Sequence, residues 1–342
     1  MPKTLDKFAA TTWVHVQPLP AAYRLQEVLS FHQRDAEQLA EQVQQTAQGL
    51  PRLRKGLDWD GQPAWMELVW EAQTSACAPN LAAACPLQVR ASLHLAPKQR
   101  ADASVQARWA ATVRRMLGLA YPPEALEAAR AGHPLLGPLL RAQAGLHVPA
   151  APTAWEALTW AITGQQISVA AAVTLRRRLI RAAGTPLLLE GDGAPPLFTY
   201  PSAAQVAQLG EAGLRAAGYS QSKTRALLVL AAQVASGALP LEGWVQASDA
   251  GQMQAVDVDA AMQQLLAVPG IGPWTVHYTL LRGLGWPDGS LHGDVAVRKA
   301  LARLQGAERI TEAQTRDWLA PFAPWRALVA AHLWASLSAK AY

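Results

Sequence analysis

The sequence predicts a mainly α-helical protein that is preceded by an N-terminal antiparallel α/β domain. Three observations favour this fold class. Alternating apolar and polar residues, which are typical of strands, occur within residues 1–104. From about residue 105 onward, apolar residues recur three or four positions apart almost throughout, as in amphipathic helices. A Pro-rich segment at residues 148–152 marks a boundary within the helical part.

The composition indicates a globular protein with a large core. The chain has 342 residues, of which 51% are hydrophobic, and its formal net charge is +5. This length is typical of two or three domains. The positive charge is compatible with a polyanionic partner but does not identify one. Because the sequence contains neither a membrane-spanning apolar run nor a signal peptide, we expect a cytoplasmic protein without a membrane partner.

The cysteine content limits the cofactors that the chain can hold. Cys77 and Cys85 are the two cysteines of the sequence, and both lie in one Ala-rich segment. Two cysteines exclude a four-cysteine iron–sulfur cluster within one chain and disfavour a structural zinc site. A disulfide between them is disfavoured in a reducing compartment. We therefore expect no iron–sulfur cluster and no zinc.

The N-terminal domain, residues 1–104, is predicted to hold an antiparallel sheet. Residues 13–17, 64–70 and 87–95 alternate as strands do. Residues 23–48 are rich in Gln, Glu and Ala and are predicted to be helical. An antiparallel sheet with one or two covering helices follows, and no catalytic constellation is evident in it.

The remainder of the chain is predicted to form two helical domains. One comprises residues 105–151 together with 287–342, and the other comprises residues 152–286. A long helix over residues 154–184 begins after Thr153, a capping residue with Glu156 three positions later, as in a capping box. Residues 185–201 are predicted to be a surface loop. The other predicted helices cover residues 107–119, 135–145, 203–209, 211–216, 222–236, 257–267, 295–304, 311–319 and 325–337.

The most informative stretch runs from Leu265 to Gly285 and predicts two helices joined by a tight turn, Pro269-Gly270-Ile271-Gly272. The proline tends to end the first helix, and the glycines permit backbone angles that other residues avoid. Such a turn exposes backbone N–H groups at the start of the second helix, where anions bind. Because the turn has no side chain that could read a base, the expected ligand is a nucleic-acid backbone. The alternative is a turn that only joins two packed helices.

Two further features have both a structural and a functional interpretation. Gln165 and Gln166 interrupt an apolar helical pattern, and buried amides are costly unless they find partners. The alternative for them is a helix break with solvated amides. Asp294 begins a predicted helix, and most aspartates at such positions only cap it. Capping and catalysis are compatible, because a helix N-terminus favours negative charge.

These features together resemble the AlkA-type 3-methyladenine DNA glycosylases of the helix-hairpin-helix–GPD superfamily. The resemblance rests on the PGIG turn, on the 20-residue separation from Trp274 to Asp294, and on the segment GQQIS. It also rests on the ending PWRALVAAHLW, which closes with Trp334. It covers residues 107–342 well and extends loosely to the N-terminal domain.

The resemblance implies a role for each matching residue. Asp294 would be the catalytic carboxylate, and Trp274, Tyr278 and Trp334 would line the base pocket. Gln166 would occupy the place of the residue that wedges into the base stack. Backbone carbonyls of Leu266, Val268 and Ile271 would hold a monovalent cation. The residues implied to bind DNA are Pro269, Gly270, Ile271, Gly272, Thr275, Gln165, Gln166 and Ser168.

The resemblance further implies a monomeric, monofunctional enzyme of base-excision repair that acts on double-stranded DNA with alkylated bases. A carboxylate next to the sugar stabilises the positive charge that develops as the base leaves. Glycosylases that also cleave the backbone have a Schiff-base lysine where this chain has Trp274, so a glycosylase/lyase is disfavoured. The other alternative is a non-catalytic helix-hairpin-helix protein that binds DNA or senses damage.

Overall fold

The computed structural model describes residues 11–73, 87–95, 102–189, 195–251 and 255–337. The predicted fold class is confirmed, since a five-stranded antiparallel sheet is followed by a helical region. Cys77 and Cys85 lie outside these ranges, so the expectation about their pairing stays a prediction. Within the described ranges, none of the helices is long and apolar enough to span a membrane.

The five strands and the first two helices are β1 (Thr11–Pro18), α1 (Leu25–His32), β2 (Glu41–Gln45), β3 (Pro51–Trp59), β4 (Gln62–Ala72), β5 (Leu87–Leu95) and α2 (Ala103–Met116). The sheet has the strand order β1-β5-β4-β3-β2, with every neighbouring pair antiparallel. Three of its strands, β1, β4 and β5, contain the segments predicted to be strands. The side of the sheet with Leu53, Met66 and Leu93 packs against α1 and α2.

The prediction that residues 23–48 are helical is confirmed for Leu25–His32 and wrong for Glu41–Gln45, which form a strand. The helix α1 ends at His32, and the Asp35 carboxylate then accepts hydrogen bonds from the backbone N–H groups of Glu37 and Leu39, which fixes a turn. The following strand β2 pairs with β3. This Gln-rich segment has no strong apolar period, so pairing with a distant strand decides its conformation.

Among the residues that the structure describes, the helical region contains twelve further α-helices and a pair of two-residue strands. These strands lie in the segment predicted to be a loop. A π-helical turn at Leu280–Leu284 directly follows the helix Pro273–Thr279. The elements are α3 (Pro123–Arg130), α4 (Leu136–Ala142), α5 (Ala154–Gly164), α6 (Val169–Ala183), β6 (Pro186–Leu187), β7 (Leu197–Phe198), α7 (Ala203–Ala216), α8 (Gln221–Ala235), α9 (Leu241–Asp249), α10 (Ala255–Leu266), α11 (Pro273–Thr279), α12 (Val295–Gln305), α13 (Glu312–Leu319) and α14 (Arg326–Ala335).

The prediction of one helix over residues 154–184 is also wrong, because the chain leaves the helix after Gly164 and re-enters it at Val169. Gln166 has a φ of 57°, in the left-handed region that most side chains avoid. The Ser168 hydroxyl then caps α6 by accepting a hydrogen bond from Ala171 N at 3.3 Å. We call residues 164–168 the GQQIS loop.

A buried group of four charged side chains joins the sheet to the helices that flank this loop. Thr153 caps α5 as predicted, but the Glu156 carboxylate does not complete a capping box. It instead accepts hydrogen bonds from Lys55 at 2.7 Å and from Arg176 at 2.8 Å. Both cations also bind Glu41. Burial alone raises the pKa of Glu41, but these two cations lower it well below its usual value.

Candidate active site

We call the turn at residues 269–272 the hairpin. A cleft of about 940 Å³ lies between the hairpin, the GQQIS loop and the start of α12. Most residues of the predicted site line it, so elements far apart in sequence meet there. The lining also includes residues that were not predicted to belong to the site, among them Arg34, Trp160, Lys223 and Arg282. The predicted site residues in its lining are Gln165, Gln166, Ser168, Gly270, Gly272, Trp274, Thr275, Tyr278, Asp294 and Trp334.

The Asp294 carboxylate both caps α12 and faces this cleft. Its Oδ1 accepts hydrogen bonds from the backbone N–H groups of Ala296 at 2.8 Å and Val297 at 3.0 Å. The capping interpretation and the cleft position therefore describe the same side chain. The cap fixes the carboxylate at the positive end of the helix dipole.

Two tryptophans donate to the same carboxylate through their indole nitrogens. Trp274 Nε1 lies 2.7 Å from Asp294 Oδ2, and Trp334 Nε1 lies 3.2 Å from Oδ1. With the two backbone donors, four N–H groups converge on one carboxylate. Hydrogen bonds to a charged acceptor are stronger than those between neutral groups, so this arrangement sets the orientation of the side chain. The sequence interpretation had placed both indoles in the lining of the base pocket and had not predicted these hydrogen bonds.

The three predicted pocket aromatics form one contiguous group. The ring centres of Trp274 and Tyr278 are 5.4 Å apart, and those of Tyr278 and Trp334 are 6.2 Å apart. Tyr278 is 7% exposed and Trp334 is 3% exposed, whereas Trp274 is only partly buried. Of these three rings, that of Trp274 is therefore the most accessible to a planar ligand in the cleft.

Two arginines enclose one phenyl ring beside these aromatics. The guanidinium carbon of Arg34 lies 4.5 Å from the ring centre of Phe31, and that of Arg282 lies 4.8 Å from the same ring. Arg34 also stacks over Trp160 at 5.4 Å, and Arg282 over Trp334 at 5.5 Å. These distances are typical of cation–π contacts.

The Arg282 guanidinium is buried and lies near the charge of Arg34. Burial, together with the neighbouring charge of Arg34, lowers the pKa of Arg282 to about 10, although Tyr278 opposes this change. Arg34 follows α1, so the N-terminal α/β part of the chain supplies a cation to the cleft. Its Nε is buried without a hydrogen-bond partner among the described residues. A local sequence pattern could not reveal that Arg34 and Arg282 meet at Phe31, because the two arginines lie far apart in the chain.

The hairpin has the backbone geometry expected of a tight turn. Gly270 has a φ of 90°, which glycine adopts without strain, and Ile271 N donates to Val268 O at 3.1 Å. Ile271 is 7% exposed and anchors the turn in the core, while Pro269 is exposed. A carbonyl oxygen has two lone pairs, so this hydrogen bond from Ile271 leaves one lone pair of the Val268 carbonyl unused.

The side-chain amide of Gln165 joins the GQQIS loop to the hairpin. Its Nε2 donates to the Gly270 carbonyl at 3.0 Å and to the Thr275 hydroxyl at 2.9 Å. Gln166, the next residue, is exposed. The helix-break alternative is therefore right about the break after Gly164 and about the exposed Gln166, whereas the amide nitrogen of Gln165 donates to the protein.

Comparison with known sequences matches residues 159–324 to the family described as HhH-GPD superfamily base excision DNA repair protein. The chain is 31% identical over 230 residues to "DNA-3-methyladenine glycosylase 2" of Escherichia coli, covering 67% of this chain and 72% of the relative. It is 32% identical over 229 residues to the "Probable bifunctional transcriptional activator/DNA repair enzyme AlkA" of Mycobacterium tuberculosis. That match covers 66% of this chain but only 42% of the length of the relative.

Solved structures with the same fold include the 3-methyladenine DNA-glycosylase from Archaeoglobus fulgidus. It superposes with a TM-score of 0.71 over 94% of this chain and 97% of its own, at 19% identity. An 8-oxoguanine glycosylase/lyase from Clostridium acetobutylicum, in complex with DNA, gives a TM-score of 0.62 at 12% identity, over 92% of this chain and 91% of its own. At these identities the likeness concerns the fold.

Proposed function

Because the chain belongs to the HhH-GPD superfamily of base excision DNA repair proteins, we propose that it is a monofunctional DNA glycosylase. It flips an alkylated base out of double-stranded DNA, hydrolyses the N-glycosidic bond and leaves an abasic site. The observation that carries this proposal is the Asp294 carboxylate, held in the cleft by two indole N–H groups. The name of the Escherichia coli relative supports the substrate class.

The chemistry needs one well-placed negative charge. As the base departs with the bonding electrons, positive charge develops on the deoxyribose, and a nearby carboxylate stabilises it. A rate factor of ~100 to ~1,000 from such a group corresponds to roughly 3–4 kcal/mol. The indole and backbone donors pre-orient Asp294 before the sugar arrives, so little reorganisation accompanies the reaction.

An alkylated purine suits this site because alkylation at a ring nitrogen makes the base cationic and a good leaving group. Little general-acid assistance is then required. Stacking of the cation on the exposed face of Trp274 contributes about 1–2 kcal/mol. Lesions of the 3-methyladenine and 7-methylguanine type are therefore the proposed substrates, and we propose that the protein acts as a monomer.

Two alternatives fit the cleft less well. A lyase needs a lysine at the position of Trp274, and the nearby Lys223 donates its Nζ to the Thr163 carbonyl at 2.8 Å. A protein that only binds DNA has no use for a carboxylate in the cleft, because Asp294 would repel phosphate there. A monofunctional, water-using reaction accounts for both residues.

In this proposal the hairpin binds the DNA backbone. The exposed turn accepts a phosphate, and a monovalent cation on the carbonyls of Leu266, Val268 and Ile271 would supply further positive charge for it. These oxygen donors suit such an ion, whereas they do not suit zinc or iron–sulfur chemistry, so we propose no other cofactor.

A direct test uses the purified full chain and two duplexes, one with a single 7-methylguanine and one without. We expect release of the free base from the first, and strand breakage only after alkali treatment. Breakage without alkali would indicate a lyase. Binding without base release would indicate a non-catalytic protein and would overturn the proposal.

A further inference from the structure

The GQQIS loop is tied to the hairpin by one side chain, Gln165. Both hydrogens of its amide nitrogen are used, one by the Gly270 carbonyl at 3.0 Å and one by the Thr275 hydroxyl at 2.9 Å. Thr275 is 2% exposed, so the second bond is shielded from water. Because both N–H groups of the Gln165 amide already donate to the protein, this amide has no free donor for DNA in this conformation.

The partners of Gln165 are connected to Asp294 through Trp274. Thr275 directly follows Trp274 in the chain, and Trp274 donates to Asp294 at 2.7 Å. On the other side, Gln165 directly precedes the exposed Gln166. One side chain thus bridges the residue proposed to enter the base stack and the residue that orients the catalytic carboxylate.

The rest of the loop is held at its base by separate contacts. Lys223 Nζ donates to the Thr163 carbonyl at 2.8 Å, and the Thr163 hydroxyl lies 2.9 Å from the Tyr219 hydroxyl. These bonds fix the end of α5 without the help of Gln165. Loss of the Gln165 amide therefore frees the loop tip from the hairpin while the end of α5 stays in place.

We propose that Gln165 is a positioning residue that fixes the distance between the phosphate-binding hairpin and the Gln166 tip, and thereby the alignment of the flipped nucleotide with Asp294. The inference rests on the proposed glycosylase function. It gives Gln165 a role within the protein, in place of the direct DNA contact that the family resemblance implies.

A double-mutant cycle tests this inference. Gln165→Met removes both donors without adding charge, and Thr275→Val removes one acceptor while keeping the shape of the side chain. We expect the single-turnover rate of 7-methylguanine release to fall about tenfold in the first variant and by about three- to tenfold in the second. The double variant should be about as slow as Gln165→Met alone, because both changes remove the same bond. Independent effects that multiply would overturn the inference.

DNA binding provides the second measurement. Affinity for a duplex with a stable abasic-site analogue, and its salt dependence, should stay at the wild-type values in Gln165→Met. A fluorescent adenine analogue placed next to the lesion should report less unstacking than with the wild type. If Gln165→Met instead reduces the slope of log affinity against log salt concentration by about one unit, Gln165 contacts a DNA phosphate directly. That result would overturn the inference.

The matched control is Gln208→Met, which makes the same replacement at an exposed position of α7. We expect it to release the base at the wild-type rate. Melting temperatures of all variants show whether a slower rate reflects unfolding. If the wild type releases no base, the proposed function fails; if it does and Gln165→Met is equally fast, only this inference fails.

Discussion

The indole N–H of Trp274 donates a hydrogen bond to the carboxylate of Asp294, with 2.7 Å between Nε1 and Oδ2. The tryptophan lies in the first turn of the helix that follows the hairpin, and the aspartate caps another helix. The bond therefore holds the proposed phosphate-binding turn and the proposed catalytic group in one fixed arrangement.

Replacing the indole by a phenyl ring separates its two roles. Trp274→Phe keeps an aromatic face but removes the N–H donor to a charged acceptor, an interaction of about 1.5–3 kcal/mol. We expect the single-turnover rate of base release to fall about ten- to a hundredfold. Trp334→Phe removes the longer bond of 3.2 Å, so we expect a smaller decrease in this rate. Equal rates for Trp274→Phe and wild type would show that stacking alone matters.

The charge of Arg34 should distinguish cationic from neutral bases. A neutral base leaves as an anion, which the nearby guanidinium stabilises, whereas a cationic base is repelled by it. In Arg34→Met we expect release of hypoxanthine from a deoxyinosine duplex to fall about tenfold, and release of 7-methylguanine to stay equal or rise. Parallel losses on both substrates would point to a purely structural role.

The buried charge group that contains Glu156 should be a strong determinant of stability. Glu156→Gln leaves Lys55 and Arg176 without one of their two carboxylates in a buried site. We expect the free energy of unfolding in urea to fall by about 3–5 kcal/mol. The control is Glu71→Gln, which breaks the more exposed ion pair with Arg90. We expect it to lower the free energy of unfolding by at most about 1 kcal/mol. Similar losses in the two variants would contradict this account.

Acid should weaken the fold partly through His332. Burial, with a smaller effect of Arg24, lowers the pKa of His332 to about 4, whereas an unfolded histidine has a pKa of about 6.5. Between these values the unfolded state binds a proton that the folded state does not. The contribution of His332 to the free energy of unfolding is therefore fully present above about pH 6.5. It falls by up to roughly 3 kcal/mol as the pH is lowered toward 4.

Urea titrations at pH 7 and pH 4.5 check this dependence. His332→Asn keeps an amide donor for Gln143, whose Oε1 lies 2.8 Å from Nδ1 of the native histidine. We expect the variant to lose less stability on acidification than the wild type does. An unchanged loss would assign the acid sensitivity to other groups, such as His277, whose pKa burial also lowers to about 4.

Local sequence signals were sufficient for the hairpin and for the cap at Asp294. Pro269 and Gly270 restrict or permit backbone angles within a few residues, and an aspartate before an apolar helical repeat is a local capping signal. The strands that contain Trp13, Trp65 and Val89 were found for the same reason, because alternation is visible within a single segment.

Contacts between distant segments account for what the sequence interpretation missed. At the break after Gly164, the amide of Gln165 has its partners in the hairpin and in the first turn of α11. The strand at Glu41 depends on pairing with β3 and on a buried Lys55. Arg34 lines the cleft from the segment after α1, which is joined to α6 by the ion pair of Asp35 with Arg177 at 2.6 Å. Such long-range partners override local propensity and leave no periodic signal.

The central claim concerns the negative charge of Asp294. The most direct measurement compares single-turnover release of 7-methylguanine from duplex DNA by the wild type and by Asp294→Asn, which keeps the size of the side chain but removes its charge. We predict a rate lower by ~100- to ~1,000-fold in the variant, with binding to an abasic-site duplex retained. Release at equal rates by both proteins would contradict the account.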